Sequence, residues 1–184
     1  MEFIKQKIPE IILIKPAAHS DNRGYFVETF RQDLFEETVG YKVNFVQDNE
    51  SKSTKGVLRG LHYQLLPYTQ AKLVRVIEGS VLDVAVDIRK SSPTFGQHVS
   101  VELTGENKYQ LFIPHGFAHG FVVLSDSATF AYKVDNYYSP EHDRGIAFDD
   151  VRLAIDWQLV LGELQLSDKD KKNPNLSDAL DLFE

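Results

Sequence analysis

Short strand-like runs follow one another along most of the chain, and this pattern constrains the fold more than any other feature. About ten such runs occur with little helical pattern between them, and Gly, Pro, Ser, Asn or Asp ends most of them. Many short strands of this kind are typical of an antiparallel sandwich or barrel. The sequence therefore predicts an all-β fold. The runs are Glu10–Lys15, Tyr25–Phe30, Val43–Asn49, Val57–Gln64, Lys72–Glu78, Ser80–Arg89, Gly96–Leu103, Lys108–Ile113, Gly120–Leu124 and Ala128–Tyr137. We expect a turn over Pro16–His19 and a polar loop between Asn49 and Val57.

Helical patterns are few and lie outside these runs. Arg31–Val39 has helical spacing and is followed by Gly40 as a stop signal. Leu166–Lys172 and Ser177–Phe183 predict short C-terminal helices, in which Ser167 precedes Asp170 at a spacing typical of a helix capping box. No linker, internal repeat or low-complexity segment is visible. We therefore expect one domain over residues 1–184, with short peripheral helices from about residue 166.

Charge and composition exclude several classes of function. The formal net charge of −7 argues against a general nucleic-acid binder. The chain has no Cys, which excludes disulfides and thiolate chemistry. No apolar run reaches the length of a membrane span, and the N-terminus lacks the uncharged core of a signal peptide. We expect a protein of the cytoplasm that binds neither nucleic acid nor membrane.

Polar side chains occur at strand positions that alternation assigns to the inside. Burying such a group without a partner costs on the order of 1–3 kcal/mol, so these groups either satisfy one another or surround a polar ligand. The pattern therefore predicts a barrel with a ligand cavity and not a filled core. The residues concerned are Gln47, Asn49, His62, Lys72, His119 and Tyr132.

Alternation also separates two residues that we expect to share this cavity. Arg59 and His62 are three residues apart, so an ideal strand places them on opposite faces. Both could face the cavity only if the strand is irregular between them. We therefore predict a bulge at or near Gly60.

Two segments resemble the metal-binding signature of cupins but lack part of its donor set. Pro114–His119 gives the pattern P-x-G-x-x-H of the second half. The first half requires H-x-H and a nearby Glu, whereas this chain has His62-Tyr63-Gln64 followed by Lys72. An ammonium would repel a divalent ion, and two imidazoles leave it short of three good protein ligands. We predict that no metal is bound, with a metal-dependent cupin enzyme kept as an alternative.

Several longer blocks carry a resemblance to a known family. They read DNRGYFVETF, FVQDN, GVLRGLHYQ, KLVRVIEGSVLDVAVDIRKSSPTFG, FIPHGFAHGFVVLSD and YKVDNYYSPEHDRGI, and they cover most of Asp21–Trp157 in order. In these blocks the chain resembles the dTDP-4-dehydrorhamnose 3,5-epimerases, which are metal-free members of the cupin superfamily. The resemblance implies a cupin-type jelly-roll β-barrel and a homodimer in which N-terminal strands join the partner's sheet.

The same resemblance implies a reaction and its catalytic residues. The substrate would be a dTDP-linked 4-keto-6-deoxy sugar, epimerised at C3 and C5 from dTDP-4-dehydro-6-deoxy-D-glucose to dTDP-4-dehydro-L-rhamnose in dTDP-L-rhamnose biosynthesis. In the family pattern His62 is the base, Tyr132 the acid and Lys72 the group that stabilises the enolate. Asp170 matches the carboxylate that partners the histidine.

The resemblance further implies a set of substrate-binding residues. Arg23, Arg59, His119 and Lys169 would contact the diphosphate or the sugar. Phe26, Glu28, Gln47, Asn49 and Tyr138 would hold the nucleoside or the sugar, and Asp143 occupies a position where the family often has Glu.

The chemistry is consistent with these residue types. Protons at C3 and C5 lie next to the C4 ketone and are weakly acidic, so a base of ordinary strength needs a cation at the developing enolate. No G-x-G-x-x-G fingerprint or P-loop is present, and we expect no cofactor. The alternatives are a C3-only epimerase of a related dTDP-4-keto sugar, a 3,4-ketoisomerase, and a sugar-nucleotide sensor without catalysis.

Overall fold

Two antiparallel β-sheets face each other and form most of the structure, a computed structural model that describes all residues, Met1–Glu184. The first sheet has the strand order β1-β2-β10-β7-β12-β5 and the second the order β13-β6-β11-β8-β9. A separate hairpin consists of β3 and β4 alone. The strands are β1 Glu2–Lys5, β2 Ile12–Lys15, β3 Ala18–Asp21, β4 Gly24–Val27, β5 Gln47–Thr54, β6 Leu58–Gln64, β7 Lys72–Glu78, β8 Ser80–Asp87, β9 His98–Thr104, β10 Gln110–Ile113, β11 Phe117–Val123, β12 Ser127–Val134 and β13 Asp143–Gly145.

The main hydrophobic core lies between the two sheets. Val74 and Val76 of β7 and Phe130 of β12 meet Ala85 of β8 and Phe121 of β11 there. Residues of the opposite parity on β8 point to the outer face of the second sheet, so nearly every residue of this strand is buried. Because its side chains are covered on both faces, β8 is almost continuously apolar in sequence.

Both outer faces are partly covered by non-sheet segments. The helix α1, Gln32–Val39, buries Phe35 against the first sheet and ends at Gly40 in the left-handed conformation, as predicted from the Gly stop. The segment after β13 covers the second sheet with Leu153, Trp157 and Leu176. The jelly-roll prediction is confirmed, with the two sheets remaining separate and not closed into one continuously hydrogen-bonded barrel.

The C-terminal segment differs from the prediction. Only short 3₁₀ turns form, at Leu161–Glu163 and Asp170–Lys172, and the predicted helix over Ser177–Phe183 is absent. Phe183 instead pairs with Arg89 as an isolated β-bridge and packs on the outer core with its neighbours. Isolated helices of this length are marginal in water, so packing on the sheet decides the conformation.

Strand β5 also differs, because it begins and ends later than Val43–Asn49. The segment predicted as a polar loop after Asn49 continues as a strand to Thr54 and pairs with β12 along its whole length. Its residues alternate between half-buried and exposed although nearly all are polar. The apolar pattern on which the prediction relied is missing because β5 is the edge strand and one of its faces borders a cavity.

The predicted irregularity at Gly60 is confirmed. Between β6 and β11, His62 pairs with His119 and Arg59 with Phe121, so β6 has one residue more than β11 across this interval. Gly60 has a φ of 130°, and a Cβ there would lie 2.5 Å from the Gly120 Cα atom. The bulge therefore requires glycine at this position.

None of the helices is both long and apolar enough to cross a membrane.

Candidate active site

A cavity of about 620 Å³ opens between the two sheets at the edge strand β5. It receives side chains from β5, β6, β7, β11 and β12, and the segment before the last 3₁₀ turn closes one side. Its lining residues are Asn49, Glu50, Ser51, Val57, Leu58, Arg59, His62, Lys72, His119, Phe121, Phe130, Tyr132, Gln165, Leu166, Ser167, Lys169 and Asp170. The cavity thus brings together all four predicted catalytic residues.

His62 and Asp170 form a hydrogen-bonded pair at the cavity wall. His62 Nε2 lies 2.6 Å from Asp170 Oδ1, and the carboxylate is almost fully buried. Burial alone would raise the pKa of Asp170, but hydrogen bonds from His62, Ser167 and the Gly60 amide outweigh it and hold this pKa below its ordinary value. An ionised carboxylate only accepts, so Nε2 carries the hydrogen and Nδ1 is left as the basic nitrogen.

Ser167 accounts for the capping spacing seen in the sequence. The backbone N–H of Asp170 donates to Ser167 Oγ over 3.1 Å. The serine therefore fixes the turn that carries Asp170, and the carboxylate stays free to accept from His62. Ser167 can therefore cap this turn while Asp170 binds His62, and the capping spacing does not argue against a catalytic role for Asp170.

Lys72 heads β7 and extends its ammonium into the cavity without an ion pair or a hydrogen bond to the protein. Burial lowers the pKa of Lys72 to about 8, although the negative charges of Asp143 and Asp83 act to raise it. The ammonium is therefore charged at pH 7 and available to a ligand.

Tyr132 lies on β12, in the sheet opposite His62. Its side chain is half-buried in the cavity wall, and its hydroxyl makes no hydrogen bond to the protein. Burial raises the pKa of Tyr132, the charge of Arg59 lowers it, and the net shift is upward. The phenol is thus protonated at neutral pH.

His119 sits beside His62 on the neighbouring strand and forms a second histidine–carboxylate pair. Its Nε2 lies 2.9 Å from Asp83 Oδ2, and both side chains are buried. Burial lowers the pKa of His119 against the pull of Asp83, so this imidazole is neutral at pH 7. Asp83 Oδ1 has no hydrogen-bond partner.

Arg59 reaches the cavity from β6 because of the bulge at Gly60. Its Nε and Nη2 atoms donate to Ser53 Oγ over 3.3 and 3.1 Å. The guanidinium takes part in no ion pair with the protein.

A smaller polar cluster borders the cavity at Lys169. Its ammonium pairs with Asp143, and the hydroxyl of Tyr138 donates to the same carboxylate over 3.0 Å. Lys169 lines the cavity, whereas Tyr138 and Asp143 do not. Burial raises the pKa of Tyr138, and Asp143 adds to this rise.

Six predicted binding residues do not line the cavity of this chain: Tyr138, Asp143 and four others. Arg23 and Phe26 lie on the exposed hairpin β3–β4, and Glu28 follows it directly, also exposed. Arg23 is ion-paired with Asp21. Gln47 sits at the start of β5, where its Nε2 donates to Asn49 Oδ1.

Sequence reasoning did not identify Asp83 or Ser53. Asp83 lies in the otherwise apolar run Val81–Val86, and a charge in a buried strand is a signal that could have identified it. Ser53 gave no such signal because it belongs to a segment assigned to a loop.

The donor set for a metal ion is incomplete. No group of three or more His, Asp or Glu side chains is arranged so that it could hold a metal ion. Nε2 of His62 and of His119 each contacts a carboxylate, and Lys72 lines the same cavity. Gln64, at the position of the second cupin histidine, donates to the carbonyls of Tyr68 and Tyr137 and accepts from Ser139 N. That a metal is dispensable stays a prediction.

Comparison with known proteins gives concordant results. A family model described as dTDP-4-dehydrorhamnose 3,5-epimerase matches residues 5–178. A dTDP-4-dehydrorhamnose 3,5-epimerase from Shigella flexneri is 59% identical over 179 residues, which are 97% of this chain and 98% of the relative. The crystal structure of a dTDP-6-deoxy-D-glucose-3,5-epimerase from Legionella pneumophila Philadelphia 1, in complex with dTDP-4-keto-L-rhamnose, matches with a TM-score of 0.95 and 52% identity, covering 100% of this chain and 97% of that one.

A more distant structure has a narrower activity. A 3′-monoepimerase from Streptomyces bikiniensis, in complex with dTDP-quinovose, matches with a TM-score of 0.88 and 34% identity over 94% of this chain and 86% of that one. The scaffold is therefore shared by enzymes that differ in the number of centres they invert. The family model and the Shigella relative both extend over nearly the whole sequence, and on this ground the chain belongs to the dTDP-4-dehydrorhamnose 3,5-epimerase family.

Proposed function

We propose that the chain epimerises dTDP-4-dehydro-6-deoxy-D-glucose at C3 and C5 to dTDP-4-dehydro-L-rhamnose, as a step of dTDP-L-rhamnose biosynthesis. The observation that carries the proposal is one cavity holding a carboxylate-paired histidine, an unpaired ammonium and a protonated phenol on the opposite sheet. A base, an electrostatic catalyst and an acid are the three groups that inversion next to a ketone requires.

The first step is proton removal by His62. Nδ1 takes the proton from the carbon next to the C4 ketone, and the electron pair of the broken C–H bond moves through the new C=C bond to O4. Asp170 stabilises the resulting imidazolium and fixes the ring in the required tautomer. Lys72 stabilises the negative charge on O4, and removing a donor of this kind typically reduces the rate by about 100- to 1,000-fold.

The second step is proton delivery from the other face. Tyr132 donates its hydroxyl proton to the same carbon, the electron pair returns from O4 to restore the ketone, and the configuration is inverted. Because its pKa is raised, the Tyr132 phenol is protonated at neutral pH and can act as the acid. The two steps are repeated at the second carbon after the enzyme exchanges protons with solvent.

Substrate binding draws on charges inside and outside this cavity. Arg59 and Lys169 supply cations for the diphosphate, and His119 lies close enough to the reacting groups to contact the sugar. Arg23, Phe26 and Glu28 reach a site only if the hairpin β3–β4 enters the cavity of a second subunit. We therefore propose a homodimer in which this N-terminal hairpin is exchanged. The terminal strand β1 pairs with β2 of its own chain.

Heavy-water exchange tests the activity. Incubation with dTDP-4-dehydro-6-deoxy-D-glucose in heavy water, followed by NMR of the product, should show deuterium at both C3 and C5 and the L-configured sugar. The 3′-monoepimerase relative makes a C3-only enzyme the alternative. Label confined to C3 would support that alternative and refute double epimerisation. Nucleotide-sugar binding without any exchange would indicate a sensor.

Three further expectations belong to the same proposal. The enzyme works without a metal, so exhaustive chelation should leave turnover unchanged. Residues 1–184 act as one domain, which a single cooperative unfolding transition would support. The protein acts in the cytoplasm, which cell fractionation would test.

A further inference from the structure

Ser53 and Arg59 form a contact between the two sheets at the edge of the cavity. Ser53 lies on β5 of the first sheet and is 8% exposed, whereas Arg59 lies on β6 of the second sheet and is exposed. Ser53 Oγ accepts from Nε over 3.3 Å and from Nη2 over 3.1 Å. One hydroxyl oxygen therefore binds one edge of the guanidinium.

This contact determines which donors of Arg59 remain free. A guanidinium has five N–H donors, of which Nε–H and one hydrogen of Nη2 point along the same edge. Ser53 engages that edge, so the two hydrogens of Nη1 and the other hydrogen of Nη2 remain. One hydrogen of Nη1 and the remaining hydrogen of Nη2 form the end-on fork that matches two oxygens of a phosphate.

The acceptor is neutral, which distinguishes Arg59 from four other arginines of the chain. Arg23, Arg31, Arg89 and Arg144 each pair with a carboxylate, which offsets their charge. A serine orients the guanidinium and leaves its positive charge uncompensated. An oriented and uncompensated cation of this kind suits a site for a dianionic group.

We propose that Ser53 is a positioning residue that holds the end-on edge of Arg59 toward the diphosphate of the bound nucleotide sugar. This inference rests on the proposed function, in which Arg59 binds the diphosphate. Ser53 does not touch the substrate and acts only through Arg59. Its removal therefore weakens the binding of ligands that carry the diphosphate and leaves the proton-transfer steps intact.

The central measurement is the affinity of dTDP for Ser53→Ala by calorimetry. We expect the Kd to rise about three- to tenfold, the loss typical of one hydrogen-bonded contact. In turnover, KM for the nucleotide sugar should rise by a similar factor while kcat is unchanged. Thr54→Ala removes a hydroxyl from the adjacent, exposed position on β5 and should leave Kd and KM at the wild-type values.

Two further experiments distinguish the positioning of Arg59 by Ser53 from a general structural effect of the substitution. Thymidine lacks the diphosphate, so its inhibition constant should be the same for wild type and Ser53→Ala. In a double-mutant cycle, Ser53→Ala should have no effect on dTDP affinity once Arg59→Ala is present, because its only route of action is gone.

Some results would contradict the role of Ser53, and another would contradict the diphosphate site itself. An unchanged Kd for dTDP in Ser53→Ala would refute the positioning role, as would equal losses for dTDP and thymidine or a loss that persists in the Arg59→Ala background. Wild-type affinity of Arg59→Ala for dTDP would instead show that the diphosphate site itself is misplaced.

Discussion

Three side chains of the cavity have the partners or the charges that proton transfer at a carbon acid requires. His62 is hydrogen-bonded to an ionised carboxylate, Tyr132 retains its proton, and Lys72 is charged without a protein partner. Burial shifts the pKa values of Tyr132 and Lys72 but leaves both side chains protonated at pH 7. Strand alternation identified these residues from the sequence. It did not identify the Ser53–Arg59 contact, because that contact depends on which strands face each other, and the signal of a charge at Asp83 in an apolar run was not used.

The pH dependence of the reaction should report the titration of Lys72. Burial lowers the pKa of this ammonium to about 8, so the charge on the cation is lost as the pH rises through that value. We therefore expect the alkaline limb of the kcat/KM profile to bend near pH 8. Lys72→Arg retains a charge at all accessible pH values. If that variant is active, its profile should lack this limb, and an unchanged bend near pH 8 would assign the limb to another group.

Removal of the base and of the acid should have different signatures. His62→Ala should abolish deuterium exchange at both carbons, because His62 is the proposed base for proton removal at each of them. Tyr132→Phe should reduce inversion more than exchange, because His62 can still remove a proton and return it to the same face. The measurement is the ratio of deuterium uptake to product formed by NMR. Near-normal turnover of His62→Ala would show that the assigned base is wrong.

The position of Arg59 depends on the bulge in β6, which the sequence predicted. Leu58 and Leu61 both point to the outer core, and Arg59 and His62 both face the cavity, which a regular strand does not allow. The extra residue between them resolves this conflict at the cost of a glycine-only conformation at Gly60. The bulge was predictable because two side chains that we expected in one cavity conflicted with the alternation.

Gly60→Ala should therefore destabilise the protein and disrupt the site. Its Cβ would lie 2.5 Å from Gly120 Cα and 2.8 Å from the His119 carbonyl oxygen, and the φ of 130° adds strain. We expect a loss of at least about 2 kcal/mol in the free energy of unfolding, measured with denaturant. Gly162→Ala is the matched control, since nothing lies within 4 Å of its Cβ position. Equal stability of the two variants would contradict the requirement for glycine in the bulge.

Elements without a strong apolar pattern were predicted less well. Strand β5 is polar along its length because one side borders the cavity, so its second half was assigned to a loop. Strand β3 was assigned to a turn, and its residues are exposed. The C-terminal segment follows a helical pattern, but its apolar residues are held by the outer face of the second sheet and not by a helix. In each case contacts distant in sequence determine the conformation.

At the level of the whole molecule, two features are incomplete in a single chain. The hairpin β3–β4 pairs with no sheet and exposes Tyr25 and Phe26, and one edge of the first sheet, β5, is unpaired beside the cavity. An isolated two-stranded hairpin is marginally stable in water, and an open edge strand can accept another strand. A second copy that places its hairpin at this edge would complete both features.

Coexpression of two defective variants tests this exchange. In a mixed dimer of Arg23→Ala and His62→Ala subunits, an exchanged hairpin gives one site with intact His62 and the partner's intact Arg23, and a second site with both defects. Random pairing makes about half of the dimers mixed, so activity should recover to about a quarter of the wild-type value, above that of either variant alone. If each hairpin serves its own chain, every site carries one defect and activity stays at the average of the two parents. Light scattering of the wild-type protein, which should give twice the chain mass, confirms that dimers are present during the assay.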